Sequence, residues 1–395
     1  MRKRILLTIL TAGLCSCAAP APAPTETRTA PPEEITPETW LDLWLDPFVN
    51  DGYALPDHDQ NGDPVTWTVA DGDAEIRDGS LYKTEAADEY EPVALAAELA
   101  DGSTVQYDRI LLLDPYVAYI ISYFSETGDE KETMKLAYTY NGSYWYKFNN
   151  DHTVLKAETG TGRLRDPAIL RNKDGTFTVL ATQGYDTDSI YVFDSPDLLS
   201  FANERLLKVN TMGGGQAWAP EGFYDRTLDQ YVIYWSSVKD KGMFRNLTGD
   251  FLSVDAPVPL LDCGFPVIDG TIVKQGAECL IVLKDERQPM EQYSRLFIGR
   301  SEYGWQNFTE FGSPLSGHQS EGPMVMKDLY VSGYYLVYDD YTRFQFKSLY
   351  TQDLWNGPYE ETKTADTMIP LEDPAHCSAV PVTWKELERL IEAYE

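Results

Sequence analysis

Five short openings recur along the C-terminal two-thirds of the chain at an almost constant step. They are Arg165-Asp166-Pro167-Ala168, Ala217-Trp218-Ala219-Pro220-Glu221, Ile268-Asp269-Gly270-Thr271, Ser320-Glu321-Gly322-Pro323 and Ala375-His376-Cys377-Ser378. From Asp166 to Trp218, Asp269, Glu321 and His376 the steps are 52, 51, 52 and 55 residues. Each of the first four precedes a turn and then an aromatic or β-branched run, at 177–182, 231–237, 280–285 and 334–340. A period near 50 residues with about four short strands per unit is the pattern of blades set around an axis. Five openings therefore predict an all-β, five-bladed β-propeller over residues 116–395.

The fifth unit is short. Only 19 residues come after His376, room for one strand and the helical stretch Lys385-Glu386-Leu387-Glu388-Arg389-Leu390. Three strand-like runs, 116–124, 132–140 and 143–149, lie just ahead of the first opening. The expectation is that residues 116–150 complete the last blade around the C-terminal strand, which leaves no exposed inner edge.

Upstream, the composition changes twice. Arg2, Lys3 and Arg4 precede an apolar run from Ile5 to Leu14, too short to span a bilayer, where a helix needs about 20 residues. This reads as a secretory leader over 1–17. Its Leu-Cys-Ser-Cys end resembles a bacterial lipobox, which makes Cys17 the lipidation site of an exported envelope lipoprotein; cleavage to a free soluble product is the alternative. Residues 18–35, rich in Ala, Pro and Thr, suit a flexible tether. Residues 36–49 carry a helical apolar spacing with Thr36 as N-cap. Next come short strands at 65–69, 80–82, 93–97 and 110–113, separated by Asn-Gly and Asp-Gly turns. Residues 36–115 resemble a bacterial immunoglobulin-like module, a spacer or packing partner for the repeated units.

Composition narrows the partners. The chain has 395 residues with 63 acidic and 32 basic side chains, a formal charge of −31. Such a field repels nucleic acid, anionic lipid and polyanionic polymers, and is compatible with a neutral ligand. Beyond the leader, Cys263, Cys279 and Cys377 allow one disulfide at most, and no Cys/His spacing of a zinc site occurs. No cofactor is required, membrane contact is expected only through the anchor, and a monomer is expected.

The period sets Asp166, Asp269 and Glu321 at equivalent places, so three acids are expected at one end of the central cavity. Clustered carboxylates raise one another's pKa and need a cation, cationic neighbours or an acid–base task. An Asp before Pro or Gly also serves turns, and that reading stays open at each single site. The sequence runs Arg-Asp-Pro-Ala-Ile, Trp-Ala-Pro-Glu with Tyr-Trp-Ser-Ser, Ile-Asp-Gly-Thr-Ile with Leu-Lys-Asp-Glu, Ser-Glu-Gly-Pro-Met-Val and Ala-His-Cys-Ser-Ala-Val resemble glycoside hydrolase family 43, closest to its α-L-arabinofuranosidase-like branch. That resemblance implies an inverting hydrolase of terminal arabinofuranosyl, xylosyl or galactosyl units on neutral plant-type glycans. It makes Asp166 the general base, Glu321 the general acid and Asp269 the group that tunes the acid. It also places His376 near a central calcium or bound water, although Ala-His-Cys stands where the family has Arg-His-Gly, and Ile-Asp-Gly where it more often has Ile-Asp-Pro. Trp218 is expected as a sugar platform or cavity wall, with core packing an equal reading; Arg165, Lys284 and Arg343 are expected foremost in structural salt bridges, and otherwise to bind sugar hydroxyls or balance the acids. Two readings of other kinds stay open: a non-catalytic glycan-binding lipoprotein on the same ring, and a retaining invertase-like furanosidase, whose Asn-Asp-Pro-Asn and Glu-Cys motifs the chain lacks.

Overall fold

The computed structural model describes residues 35–362, 369 and 371–394. The leader, Cys17 and the tether up to residue 34 lie outside the described residues. Among the described residues no helix is long and apolar enough to cross a membrane.

Strands far outnumber helices among the described residues. Residues 116–383 form five four-stranded antiparallel sheets. Four run in simple sequence order, their first strands being Leu164–Arg171, Trp218–Asp225, Val267–Gln275 and Ser320–Lys327. In the remaining sheet the C-terminal strand Pro374–Thr383 pairs with Tyr116–Ser125, with Lys135–Thr139 and Tyr146–Lys147 further out. That outermost strand is shorter than the expected 143–149, because Asn141 Oδ1 accepts from the N–H groups of Ser143 and Tyr144 and bends the chain into a turn.

The second strands read as continuous apolar runs because both of their faces are covered. In Glu278–Asp285, Cys279, Ile281 and Leu283 pack towards the sheet before, while Leu280 and Val282 pack towards the sheet after. Successive side chains point to opposite faces of a strand, so a strand between two neighbours alternates which core it feeds, not whether it is buried. Five apolar clusters arise in this way, each shared by two consecutive sheets. The last joins Met324 and Val337 to Tyr119, Tyr123 and Trp145, so the series returns to its start. At about 25 cal/mol per Å² of apolar area, these seams dominate the stability of the region.

Residues 36–113 carry a short helix, Pro37–Trp44, and two further sheets of four and three strands around their own core of Leu41, Leu81, Leu95 and Leu112. Thr36 caps the helix, its Oγ1 accepting from Thr39 N at 3.3 Å, with Pro37 at the first position. The helix ends before 49, where Phe48–Asn50 has become a strand parallel to Thr104–Leu113.

Candidate active site

All five first strands begin with the same irregularity. Pairing with the second strand slips between Arg165 and Ala168, Trp218 and Glu221, Ile268 and Thr271, Glu321 and Met324, and Ala375 and Ser378. Inside each slip one residue adopts a left-handed backbone: Asp166 (φ 46°), Ala219 (44°), Asp269 (52°), Gly322 (52°) and His376 (37°). A bulge of this kind bends the strand and re-aims a side chain, and left-handed non-glycine residues are concentrated at functional sites. The bulges also correct the sequence register. Asp166, Asp269 and His376 are true equivalents of one another, whereas Glu321 and Trp218 each stand one residue earlier.

The bulges open on a cavity of about 390 Å³ lined by Asp166, Asp269, Glu321, Trp218, Arg165, Lys284 and His376. The three expected acids are therefore together. Arg343 is not among the lining residues: two-thirds exposed, it lies beside Asp340, because the turn that carries it points outward. Its ion partner there is the Asp340 carboxylate, at 3.7 Å. The sequence reading also missed members of the cavity, among them Glu286, Asp339 and Tyr341.

Asp339 has a structural explanation. The residues facing the bulges on the second strands are Thr182, Ser236, Lys284, Asp339 and Phe124. Three of them reach across to the next sheet and accept the N–H that its bulge leaves unpaired. Thr182 takes Ala219 N at 2.8 Å, Ser236 takes Asp269 N at 3.0 Å, and Asp339 takes His376 N at 2.7 Å. Lining up the second strands as well as the openings would have singled out Asp339. Burial pushes its carboxyl well above the ordinary range; the His376 N–H opposes this, and Glu321, Asp269 and Asp166 add to it.

The electrostatics stem from burial and neighbours. Burial raises Asp269 to about 6; His376 and Lys284 pull it down, while Glu321 and Asp166 push it up. Burial works against a charged His376, but Asp166, Asp269, Glu221 and Glu321 outweigh it and hold the imidazole above its usual value. Its Nδ1 lies 3.7 Å from Asp166 Oδ1. Arg165 is held by Glu126 at 2.6 Å and Glu132 at 3.1 Å, with its guanidinium over the Phe124 and Tyr185 rings. Trp218 donates its indole N–H to the Tyr185 carbonyl at 2.7 Å, and the two rings meet edge to face at the cavity wall. Among the described residues no three His, Cys, Asp or Glu side chains stand where they could share a metal ion. Cys263, Cys279 and Cys377 are all free thiols.

A sequence profile of the glycosyl hydrolase 43-related family, described as a probable glycosyl hydrolase domain, matches residues 114–388. The chain belongs to this family. As a glycosyl hydrolase 43-related protein it is also 26% identical to an α-L-arabinofuranosidase of Bifidobacterium longum subsp. longum, over 35% of this chain and 16% of that protein. It thus spans about one-sixth of the length of that curated relative. Among solved structures it overlaps an exo-β-1,3-galactanase from Phanerochaete chrysosporium (13% identity, TM-score 0.42, covering 50% of this chain and 49% of that one). It also overlaps a family 62 α-L-arabinofuranosidase from Coprinopsis cinerea (14%, 0.41, 54% and 73%) and an α-L-arabinofuranosidase from Lactobacillus brevis (16%, 0.41, 50% and 72%). Overlaps this partial carry no information about substrate.

Proposed function

We propose that this glycosyl hydrolase 43-related protein is an inverting exo-glycosidase that removes terminal sugars, foremost α-L-arabinofuranosyl units, from neutral plant-type glycans. The observation that carries the reading is the convergence of Asp166, Asp269 and Glu321 on one cavity with an aromatic wall at Trp218 and Tyr185. Inversion needs a carboxylate to activate water and a carboxylic acid about 6.5–9.5 Å away to protonate the leaving oxygen. In this reading Asp166 is the base, with its proton acceptor steadied by the neighbouring imidazole, and Glu321 is the acid. Asp269 adjusts the field between them. Arabinofuranose is preferred over xylose and galactose on the strength of the partial relative. β-Xylosides and β-galactosides are the alternative substrates.

The same reading takes the five sheets as blades of a propeller whose axis passes through the cavity, and residues 36–113 as an immunoglobulin-like domain. It keeps the protein a monomer, without a required cofactor, held at the cell envelope through Cys17. The test is release of free sugar from a panel of para-nitrophenyl glycosides by the wild type and by Glu321→Gln, with the product anomer tracked by NMR. The wild type should release an inverted sugar and the variant should lose at least about 10²-fold in kcat/KM, the usual contribution of a positioned acid. Full activity in Glu321→Gln, or tight glycan binding with no turnover by the wild type, overturns the reading.

A further inference from the structure

Lys284 breaks a rule that three of its four equivalents obey, the fourth being the apolar Phe124. Thr182, Ser236 and Asp339 face the bulges with acceptors, and each caps the N–H of the next sheet's bulge. Lys284 faces its own bulge at Ile268 and has only donors to offer. The bulge N–H it would otherwise serve, at Gly322, is instead taken by Asp269 Oδ2 at 3.3 Å. A structural position has been given up, and its side chain has been turned into the cavity.

There the ammonium lies between two carboxylates. Nζ donates to Glu321 Oε2 at 2.7 Å and sits 3.1 Å from Glu286 Oε2, with the lysine side chain 3% exposed. Glu286 Oε2 is buried and, among the described residues, has no hydrogen-bond partner. One cation thus serves two acids, fully bonded to one and poised beside the other. Burial works against its charge, but Glu321, Asp269 and Glu286 outweigh this and keep it protonated.

We propose that Lys284 is a positioning residue that exchanges between Glu321 and Glu286 during each turnover and thereby controls when Glu321 can carry the proton it donates. The inference rests on the reading of Glu321 as general acid. An ammonium bonded to Glu321 favours its carboxylate over the carboxylic acid that the leaving group needs. When substrate binds, the glycosidic oxygen takes the place of Nζ at Glu321, and the ammonium moves fully onto Glu286. Glu321, protonated from solvent, passes its proton to the leaving oxygen as the glycosidic bond breaks and water bonds to the anomeric carbon, Asp166 taking the water's proton, and Glu321 is left a carboxylate. Lys284 returns to that carboxylate, the arrangement seen in the structure. The other charged groups facing Glu321 are Asp269, Asp166, Asp339 and His376; none of them is in hydrogen-bond contact with it among the described residues.

The pH profile of kcat/KM tests this, read at the limb where activity falls with rising pH. Lys284→Met removes the competing donor at similar volume, so that limb should move up by roughly one pH unit or more, the usual effect of a charge at this range. Glu286→Gln removes the alternative partner, holds Lys284 on Glu321, and should move the same limb down while lowering kcat. Shifts in opposite directions support the exchange. Limbs that stay in place, or that move together, overturn it. If Lys284→Met fails to fold, the downward shift in Glu286→Gln decides alone. Failure of the underlying reading is separable: it appears as full activity in Glu321→Gln, whatever the profiles of the other variants.

Discussion

Glu221 is the acid the mechanism does not use. It lines a second cavity of about 340 Å³, where the first strands run on past the bulges, together with Tyr234, Thr271 and the segment 42–48. Tyr234 donates its hydroxyl to Glu221 Oε2 at 2.7 Å. Burial is the main cause that lifts this carboxyl to about 7; Tyr234 and His376 pull it partly back. A raised acid holds a proton in the folded state that the unfolded chain has already lost. Its stabilising effect is therefore complete below about pH 4.5 and is lost as the pH rises through about 7. Asp269, lifted from 3.8 to about 6, contributes with the same sign in a lower window, its effect complete below about pH 3.8 and lost as the pH rises through about 6. Glu221→Gln keeps the acceptor for Tyr234 and removes the titration. The variant should gain on the wild type between pH 5 and pH 8, by at most about 3 kcal/mol, at 1.36 kcal/mol per pH unit. Urea unfolding at the two pH values measures this, and a gap that does not change with pH rejects it.

At the scale of the element, the repeated bulge is what turns a stretch of inner strand into a site. Four of its five left-handed positions carry a side chain, and only the fourth is glycine. Ala219 shows that this backbone tolerates a Cβ. At Gly322, however, an added Cβ would lie 3.1 Å from His376 Nδ1. Gly322→Ala should cost roughly 1–3 kcal/mol in strain and crowding and push the imidazole off Asp166. Denaturant unfolding reads the first effect and a fall in kcat the second. Stability and kcat both at wild-type values would show that the ring yields freely. The bulge also explains what the sequence made legible. The spacing of the openings located Asp166, Asp269, Glu321, Trp218 and His376, because a repeated element must reuse its site-facing position. It misplaced their register by one residue at Trp218 and Glu321, since an inserted residue is invisible to spacing alone. The place of Arg343 beside Asp340, outside the lining of the cavity, was not legible, because sequence does not say which way a turn points. Lys284 was legible as a residue, but the acid it holds was not, because contacts between second strands and neighbouring openings cross from sheet to sheet.

At the scale of the molecule, the N-terminal region is bolted to the five sheets at two places. Arg226, 4% exposed, donates to the Asp42 carboxylate at 2.6 Å and to the carbonyls of Asp42 and Asp108. Phe48 packs beside Tyr224, and the Trp44 ring covers Gly276, where a Cβ would come within 2.6 Å of it. The second bolt is Glu386 on the C-terminal helix Trp384–Tyr394. It accepts from Arg171 at 2.6 Å, from the Tyr90 hydroxyl at 2.9 Å and from Thr383 N at 2.8 Å, so one carboxylate ties the last helix, the first inner strand of the repeat and the N-terminal region together. Buried hydrogen-bonded charges of this kind cost little while complete and a great deal when one partner is removed. The region should therefore unfold with the sheets and not ahead of them, giving one calorimetric transition for the whole described chain. Arg226→Met leaves Asp42 and two carbonyls without their donor. It should lower stability by about 2–3 kcal/mol, because Asp42 is itself one-third exposed and water recovers part of the loss. Calorimetry of both proteins decides the point: the variant should melt earlier, still in one transition. A wild type that already melts in two steps would mean that residues 36–113 are a passenger and that the second cavity, which segment 45–48 helps to line, opens without unfolding the site.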